Sequence, residues 1–590
     1  MKRRDILGGI VIAGSAPILG GMIAPAAAAA EEGKAGPPTV TPDDLRFHRR
    51  RLRPGSPREA GLLKPHVDKI VGDTAAFMKP GEGRPRPSHP GFVVLAARRG
   101  VIVTHESGGY ALRYASYDSD TDTAVDLPED QKIAMRTDTR FDLASMSKLF
   151  TSMVATQLHE DGDIDLDAPV ADYLPDFAAS DPAKAPITLK FLLRHVSGLK
   201  SWLPLYTEPD NAARMRAIYT SELHHAPGTT YEYSDLNLIT MGVLIEKVTG
   251  STLDAEVKRR ITDPLGLRDT GYNPPKSQLD RIAATEYQLE LRGGVVHGEV
   301  HDENAWSFGG VAGHAGIFST AADVAVFAQT ILNGGTYGGE RLLRQDTVRA
   351  LLTNYNADLP PEAGRGLGWQ LDQRFYMDAL STPVSAGHTG FTGTCVVVDP
   401  SDETLYVLLT NRVHPTRNWG TDSAYRRAGA HDLARAVAVD AHTPSAWYTG
   451  APDATVATLS LPLETPPKDG RLSFLLWYDT EDTDVGELLA GGADGTFSRV
   501  PLQLRSGAYE WNTDGSFHGF SARRWIRANA DLPADTATLR WQYTTDPQQR
   551  GRGVYVDRVV VRDGHRVVFD GERGADAKRF EADGWQPSRD

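Results

Sequence analysis

Residues 140–151, RFDLASMSKLFT, decide how this chain is read. Ser145 and Lys148 stand three residues apart, and Leu149, Phe150, Met153, Val154 and Leu158 recur behind them at helical spacing. That spacing predicts a helix whose first turns carry a serine and a lysine on one face. A serine hydroxyl is a weak nucleophile at neutral pH, and an ammonium beside it can hold a neighbouring base ionised or pass protons. A serine at a helix start is equally an ordinary N-cap, so the pair gains meaning only from its surroundings.

Upstream, Leu62, Leu63, Val67, Ile70, Val71 and Phe77 predict a helix within residues 59–78, and GFVVLAARRGVIVTHESGG predicts two hairpin strands turning at Arg99 and Gly100. Downstream, residues 160–440 read as mainly helical. Ser251 with Asp254 and Thr320 with Asp323 fit capping boxes, and Gly250 and Gly334 stand where helices should stop. GTCVVVDP and ETLYVLLTNR return to strand before a helix from Ala428 to Val439. Strands early, helices between and strands late predict an α/β (α+β) domain over residues 59–440. Its mixed antiparallel sheet is flanked by helices and carries a helical insert, with a site where insert meets sheet.

The composition shifts after Asp440. Residues 441–452 read as a linker, and the alternating runs of residues 453–590 as an all-β sandwich. Six of the ten tryptophans lie at or after Trp447, which suits the core of such a domain better than a glycan platform, although glycan contact is the alternative use.

At the other end, Arg3 and Arg4 precede a glycine-broken apolar run that closes in small residues near Ala28–Ala30. This predicts a twin-arginine export signal over residues 1–30, a secreted or cell-envelope location and no stable membrane span after cleavage. Residues 31–58 read as a flexible lead-in whose cluster Arg46, His48, Arg49, Arg50, Arg51 and Arg53 is solvated. A net charge of −14 disfavours nucleic acid, and the single Cys395 excludes an internal disulfide.

A serine nucleophile needs a base and an oxyanion site. Tyr233, in TTYEYSDLNLITMG just before a predicted helix, is the base candidate. A free tyrosine ionises near pH 10, so its phenolate costs roughly 4 kcal/mol at pH 7, a cost that Lys148 nearby would lower. In GHTGFTGTCVVVDP, His388, Thr389 and Gly390 precede a predicted strand. Backbone N–H groups near Phe391 could face a cleft there, with Gly390 permitting close approach of substrate. The second oxyanion donor would be the Ser145 N–H.

The order S-x-x-K, Y-S-D, H-T-G over residues 55–440 resembles the serine β-lactamase and penicillin-binding superfamily, in the branch of class C β-lactamases, D,D-carboxypeptidases and esterases. ITLKFLLRHVSGL, LHEDGDIDLDAPVADYLPDF, PGTTYEYSDLN and TNRVHP extend the resemblance. It implies a β-lactamase/transpeptidase-like fold in which Ser145 forms an acyl-enzyme, Lys148 assists proton transfer and Tyr233 is the general base. The substrate would be a peptide, ester or small molecule, cell-wall derived in this family. Two departures bear on it: His388 replaces the lysine of K-T-G, and Asp235 the asparagine of Y-x-N. A neutral histidine and an added carboxylate favour a peptidase or esterase over an efficient β-lactamase, with a sensor of little turnover as the rival reading.

VHGEVHDENAWSFGGVAGHAGIFSTAAD, which looks like part of a subgroup of this family, places His301, Asp302, Glu303 and His314 in a candidate cleft. No metal or other cofactor is expected. His297, Glu299 and His301 lie among glycines rather than on a rigid helix, and Asp161, Asp163 and Asp165 lack the glycine of a calcium loop. GRGVYVDRVVVRDGHRVVFDGERGAD loosely resembles the jelly-roll modules of secreted peptidases, where Asp557 could sit at a calcium position.

Overall fold

The computed structural model describes residues 36–589, so the expected export signal lies outside the described residues. The main sheet joins β1 (Arg53–Pro54), β2 (Gly91–Arg98), β3 (Val101–Leu112), β4 (Gln370–Leu371), β5 (Ala386–Thr389), β6 (Cys395–Asp399) and β7 (Thr404–Thr410). Their order is β1-β3-β2-β7-β6-β5-β4, with Ile133–Ala134 added beside β3. All pairings are antiparallel except β1 on β3. The early hairpin therefore meets the late strands at β2–β7, as both ends of one sheet.

Every residue of β2 is buried, because helices cover both faces. Val93, Leu95 and Ala97 face α1 (Ser147–Asp161) and α3 (Ala321–Leu332), where Phe150 stacks on Phe327 at 4.3 Å. Phe92, Val94 and Ala96 face Tyr425 and Leu433 of α4 (Ala424–Arg435). Between them in sequence, α2 (Asp235–Thr249) ends at Gly250 in the left-handed conformation, as its position predicts.

Several local expectations shift. Residues 59–78 form short turns, Lys64–Val67, Ile70–Ala75 and Ala76–Met78, rather than one helix. Ser251 caps nothing, since the helix Leu253–Val257 starts after Thr252, whereas Thr320 accepts from the Asp323 N–H at 3.2 Å. The lead-in is packed rather than free from residue 36 onward. Leu45 is buried, Arg50 pairs with Glu403 at 3.1 Å and Arg53 belongs to β1. Its basic side chains suggest a linker, but their stems and backbone cover the sheet edge.

Beyond Asp440 the chain forms a sandwich of an eight-stranded and a six-stranded sheet. Its first strand, Ala446–Thr449, lies inside the expected linker and pairs with Gly553–Asp563. Trp477, Trp511, Trp541 and Trp585 are buried, which is the core use of these aromatics. Asp557 accepts from the His442 N–H and the Thr443 hydroxyl, so it fastens the linker instead of presenting a free carboxylate. Among the described residues no helix is long and apolar enough to cross a membrane.

Candidate active site

Ser145 lies in a 3-10 turn, Ala144–Met146, that runs into α1. Ala144 holds φ +46, a strained value for a residue with a Cβ, and the Asp142 carboxylate stabilises it by accepting the Ala144 N–H at 2.8 Å. The other Asp142 oxygen takes the His301 N–H at 2.7 Å. Sequence reasoning missed Asp142; its position just ahead of A-S-x-x-K was the available signal. Ser145 is not an N-cap, since its side chain faces Lys148.

Residues 147–158 of α1 are buried all round, not on one stripe. Its polar groups are answered by the insert: the Thr151 hydroxyl donates to Gly313 O at 2.8 Å, and the Ser147 hydroxyl accepts the Ile317 N–H at 3.1 Å. These contacts bring the segment Gly313–His314 to the nucleophile. Lys148 Nζ then donates to Ser145 Oγ at 2.8 Å and to His314 O at 3.1 Å, and pairs with Asp235 Oδ1 at 2.8 Å. Burial disfavours its charge, but the Asp235 carboxylate outweighs burial and pushes the Lys148 pKa up, so it is an ammonium.

Tyr233 arrives from the residue before the Ser234 cap of α2. Its ring lies 4.9 Å from Lys148 Nζ and 4.6 Å from the His195 ring, and its hydroxyl meets both Lys148 and Ser145. His195 Nδ1 accepts the Ser234 N–H at 3.1 Å, which gives the histidine of LRHVSGL a positioning role. Burial raises the Tyr233 pKa; Lys148 opposes this and Asp235 cancels part of that help. The resting group is a neutral phenol, so the expected relief by Lys148 is outweighed.

His388 and Thr389 end β5 and, as expected, precede the strand β6. His388 is buried 6.1 Å from the Tyr233 ring, and Nδ1 lies 2.7 Å from Thr389 O. A carbonyl only accepts, so Nδ1 carries the proton. Burial first, then Arg365 and Lys148, hold His388 well below its ordinary pKa and therefore neutral. Arg365 itself donates to the Tyr231 hydroxyl at 2.8 Å and lies 5.4 Å from the Tyr233 ring.

The turn after Thr389 is stitched to the nucleophile's turn. Thr392 Oγ1 donates to Asp142 O at 2.7 Å, and Thr394 Oγ1 donates to Leu143 O at 3.1 Å. A Cβ on Gly390 would lie 2.3 Å from Leu143 O, so this glycine is required by packing between the two turns rather than by a substrate. The Ser145 N–H, in the first helical turn, has no partner among the described residues. The Phe391 N–H has no partner among the described residues, and the Phe391 ring is 45% exposed at the rim. The two donors expected for an oxyanion thus lie on turns that Thr392 and Thr394 tie together.

The remaining cleft candidates form a buttress. His314 Nε2 lies 2.9 Å from Asp302 Oδ1, and His301 Nε2 lies 2.9 Å from Glu286, while Arg417 bridges Glu286 and Glu303. Burial would raise the Glu286 pKa, but His301 and Arg417 hold it well below the carboxylate range. Asp235, Asp302 and His314 bring ligand atoms within 4.8 Å of one another, yet the Lys148 ammonium already meets Asp235. Of the two trios weighed above as metal ligands, neither converges: His297 meets Ile282 O, Glu299 meets Arg292, and Arg260 meets Asp161. In the sandwich, Glu481, Asp484 and Asp546 also cluster, and burial pushes Glu481 up to about 8 and Asp484 up to about 6.

A mixed sheet with a helical insert, carrying serine, lysine and tyrosine at their junction, defines a class of serine-dependent hydrolases. Comparison with known proteins places the chain within that class: it belongs to the Beta-lactamase family, whose model matches residues 68–431. It is 35% identical over 356 residues to an Escherichia coli (strain K12) protein named "Putative D-alanyl-D-alanine carboxypeptidase", covering 55% of this chain and 79% of that one. A Salmonella agona (strain SL483) protein of the same name is 35% identical over 357 residues, with the same coverage. Among solved structures, EstCE1, "a hydrolase with promiscuous acyltransferase activity", is 21% identical with a TM-score of 0.47. It covers 63% of this chain and 98% of EstCE1. A penicillin-binding protein homolog from Caulobacter crescentus is 20% identical with a TM-score of 0.48, over 63% of this chain and 98% of that one. The chain is a serine hydrolase.

Proposed function

We propose that this protein is an exported acyl hydrolase in which Ser145 forms an acyl-enzyme with a peptide or ester of the D,D-carboxypeptidase type. The observation that carries the reading is the 2.8 Å contact from Lys148 Nζ to Ser145 Oγ, next to Tyr233 and two free N–H donors. Ser145 Oγ attacks the carbonyl carbon as its proton passes to the phenolate form of Tyr233, which the resting phenol reaches by losing its proton to solvent. The oxyanion rests on the Ser145 and Phe391 N–H groups, and Tyr233 returns the proton to the leaving group. Water then attacks the ester by the same route. The relatives' name supports the peptide class. Asp235 and His388 disfavour an efficient β-lactamase, because neither offers a substrate carboxylate a cation or an amide donor.

The test is turnover of D-Ala-D-Ala peptides, p-nitrophenyl esters and nitrocefin by wild type and Ser145→Ala. Turnover lost in the variant is the expected result; full activity in the variant overturns the reading. Labelling of Ser145 by a fluorescent penicillin without turnover would favour the rival, a penicillin-binding sensor, which the neutral state of Tyr233 makes worth separating. Export is tested by exchanging Arg3 and Arg4 for lysine, which should hold the protein inside the cell.

The accessory sandwich has its own candidate surface, away from its tryptophans. A groove of about 450 Å³ is lined by Arg471, Ser473, Gln503, Asn529, Asp531 and Arg562. Arg471 faces Arg562 across neighbouring strands and Arg505 faces Arg527, and all four are exposed. Asp531 answers Arg471 at 3.9 Å and Glu510 answers Arg505 at 3.2 Å, which leaves Arg562 and Arg527 as the surplus cations, and an amide row lies between the pairs. This favours an anionic glycan. The full chain should bind a soluble polyuronate and ignore a neutral glucan, with Arg471→Ala/Arg562→Ala abolishing binding. Equal retention of both polymers would remove the assignment.

A further inference from the structure

We propose that Arg426, on α4, is a positioning residue of the oxyanion site, holding and polarising the Gly390–Phe391 peptide whose N–H faces the substrate. The inference rests on the serine-hydrolase reading and adds a residue that no part of the S-x-x-K, Y-S-D, H-T-G pattern contains.

Arg426 is 8% exposed, and its Nη2 donates to Gly390 O at 2.8 Å. Its Nη1 donates to Ser423 Oγ at 3.3 Å, and no carboxylate pairs with it among the described residues. A buried guanidinium without an anion is costly, so a carbonyl it meets becomes a substitute counter-charge. Arg412, 7% exposed, acts on the next peptide: its Nε donates to Phe391 O at 3.1 Å. Two consecutive carbonyls after the H-T-G run are thus drawn toward buried cations on the helix side of the turn.

In a trans peptide the C=O and N–H point in opposite directions. Gly390 O accepts from Arg426 at 2.8 Å and from the Gly393 N–H at 3.0 Å; anchored on both, it turns the Phe391 N–H away from α4, and that N–H has no partner among the described residues. On its other side the turn is tied to Asp142 O and Leu143 O by Thr392 and Thr394, next to Ser145. The orientation of the donor is consequently set from both sides. Charge adds to geometry. A hydrogen bond from a guanidinium is about twice as strong as a neutral one, and polarising the carbonyl end of a peptide strengthens its N–H as a donor. The effect grows as negative charge develops on the bound oxygen, so it acts on the transition state more than on the bound substrate.

The test uses the full chain and two probes that do not require the natural substrate: a fluorophosphonate, which phosphonylates the serine, and phenylboronic acid, which forms a tetrahedral adduct with it. Removing one oxyanion donor typically costs about 10²–10³ in rate, and weakening one should cost about tenfold or more. Arg426→Met should therefore lower the maximal labelling rate and weaken boronate inhibition by at least about tenfold. The half-saturating fluorophosphonate concentration should change less than about twofold. Arg426→Lys, which keeps a cation within reach, should recover part of both losses, and it carries the test if the methionine variant does not fold. Wild-type rates and boronate affinity in Arg426→Met overturn the proposal, as does an equal loss in all three quantities, which is the signature of a merely structural brace. Wild type that labels no faster than Ser145→Ala overturns the underlying reading, and this inference with it; where wild type labels normally, a loss in the variants belongs to Arg426 alone.

Discussion

Asp235 sets the electrostatics of the nucleophile. Its carboxylate, 20% exposed, neutralises Lys148 at 2.8 Å and places a negative charge beside Ser145. Asp235→Asn should therefore lower KM for peptides that end in a carboxylate while leaving KM for neutral esters nearly unchanged; equal effects on both substrate kinds would dismiss the charge argument. Tyr233 supplies a pH test. A general base must be deprotonated, and burial lifts the Tyr233 pKa above its ordinary value near 10. The free enzyme therefore gains active form as pH rises, and kcat/KM should climb about tenfold per pH unit above neutrality without a plateau below about pH 10. Tyr233→Phe should remove that limb, and a flat profile from pH 6 to 9 would exclude Tyr233 as the base. At this scale the sequence singled out Ser145, Lys148 and Tyr233 by residue type and order, and the structure brings them together. It could not show that Tyr233 rests as a phenol, because desolvation depends on packing contributed by His195 and His388, far apart in the chain.

At the scale of elements, the turn between β5 and β6 carries the chemistry. Gly390 sits where a Cβ would meet Leu143 O at 2.3 Å and Thr394 Oγ1 at 2.1 Å. Gly390→Ala should push the two oxyanion donors apart and lower kcat by about 10² while KM for a neutral ester changes little. A circular dichroism spectrum like that of wild type would show that the damage is local, and an unchanged kcat would show that the turn is pliant. The hairpin and the late strands were legible from apolar runs bounded by turn residues. α1 was legible as a helix but not as a fully buried one, since Thr151 and Gln157 look like a solvent face until Gly313 and Leu342 arrive to accept their hydrogen bonds. The short turns of residues 59–78 share the apolar spacing of a helix, and only packing against α4 selects between them.

For the whole molecule, Arg523 is the tie between sandwich and catalytic sheet. It is 9% exposed and donates to Asp399 at 2.9 Å, to Asp402, to Asp479 at 3.1 Å and to Ala379 O at 3.0 Å. Arg523→Ala would leave three carboxylates without their shared cation, a loss of about 3–5 kcal/mol for a buried pair of this kind. A urea transition that splits in two and a sandwich released by limited proteolysis are the expected readouts; a single transition at the wild-type midpoint would show that Arg374 and Arg552 suffice. The change to all-β sequence was legible from composition, whereas this joint was not, because Arg523, Asp399 and Asp479 stand far apart in the chain.

The pairing of β2 with β7 has one more consequence, in the time of synthesis. Arg98 lies opposite Thr404 in the sheet. At about 5–20 residues per second, the ribosome needs roughly 15–60 s between making the two strands. For that interval a strand that is apolar from Gly91 to Ala97 has no partner on one side, and the turn proposed to supply the second oxyanion donor is missing for most of it. The nascent chain is thus exposed to aggregation early and incapable of catalysis until late. A hydrolase assembled in this order cannot act on anything before the last strand of its catalytic sheet has left the ribosome.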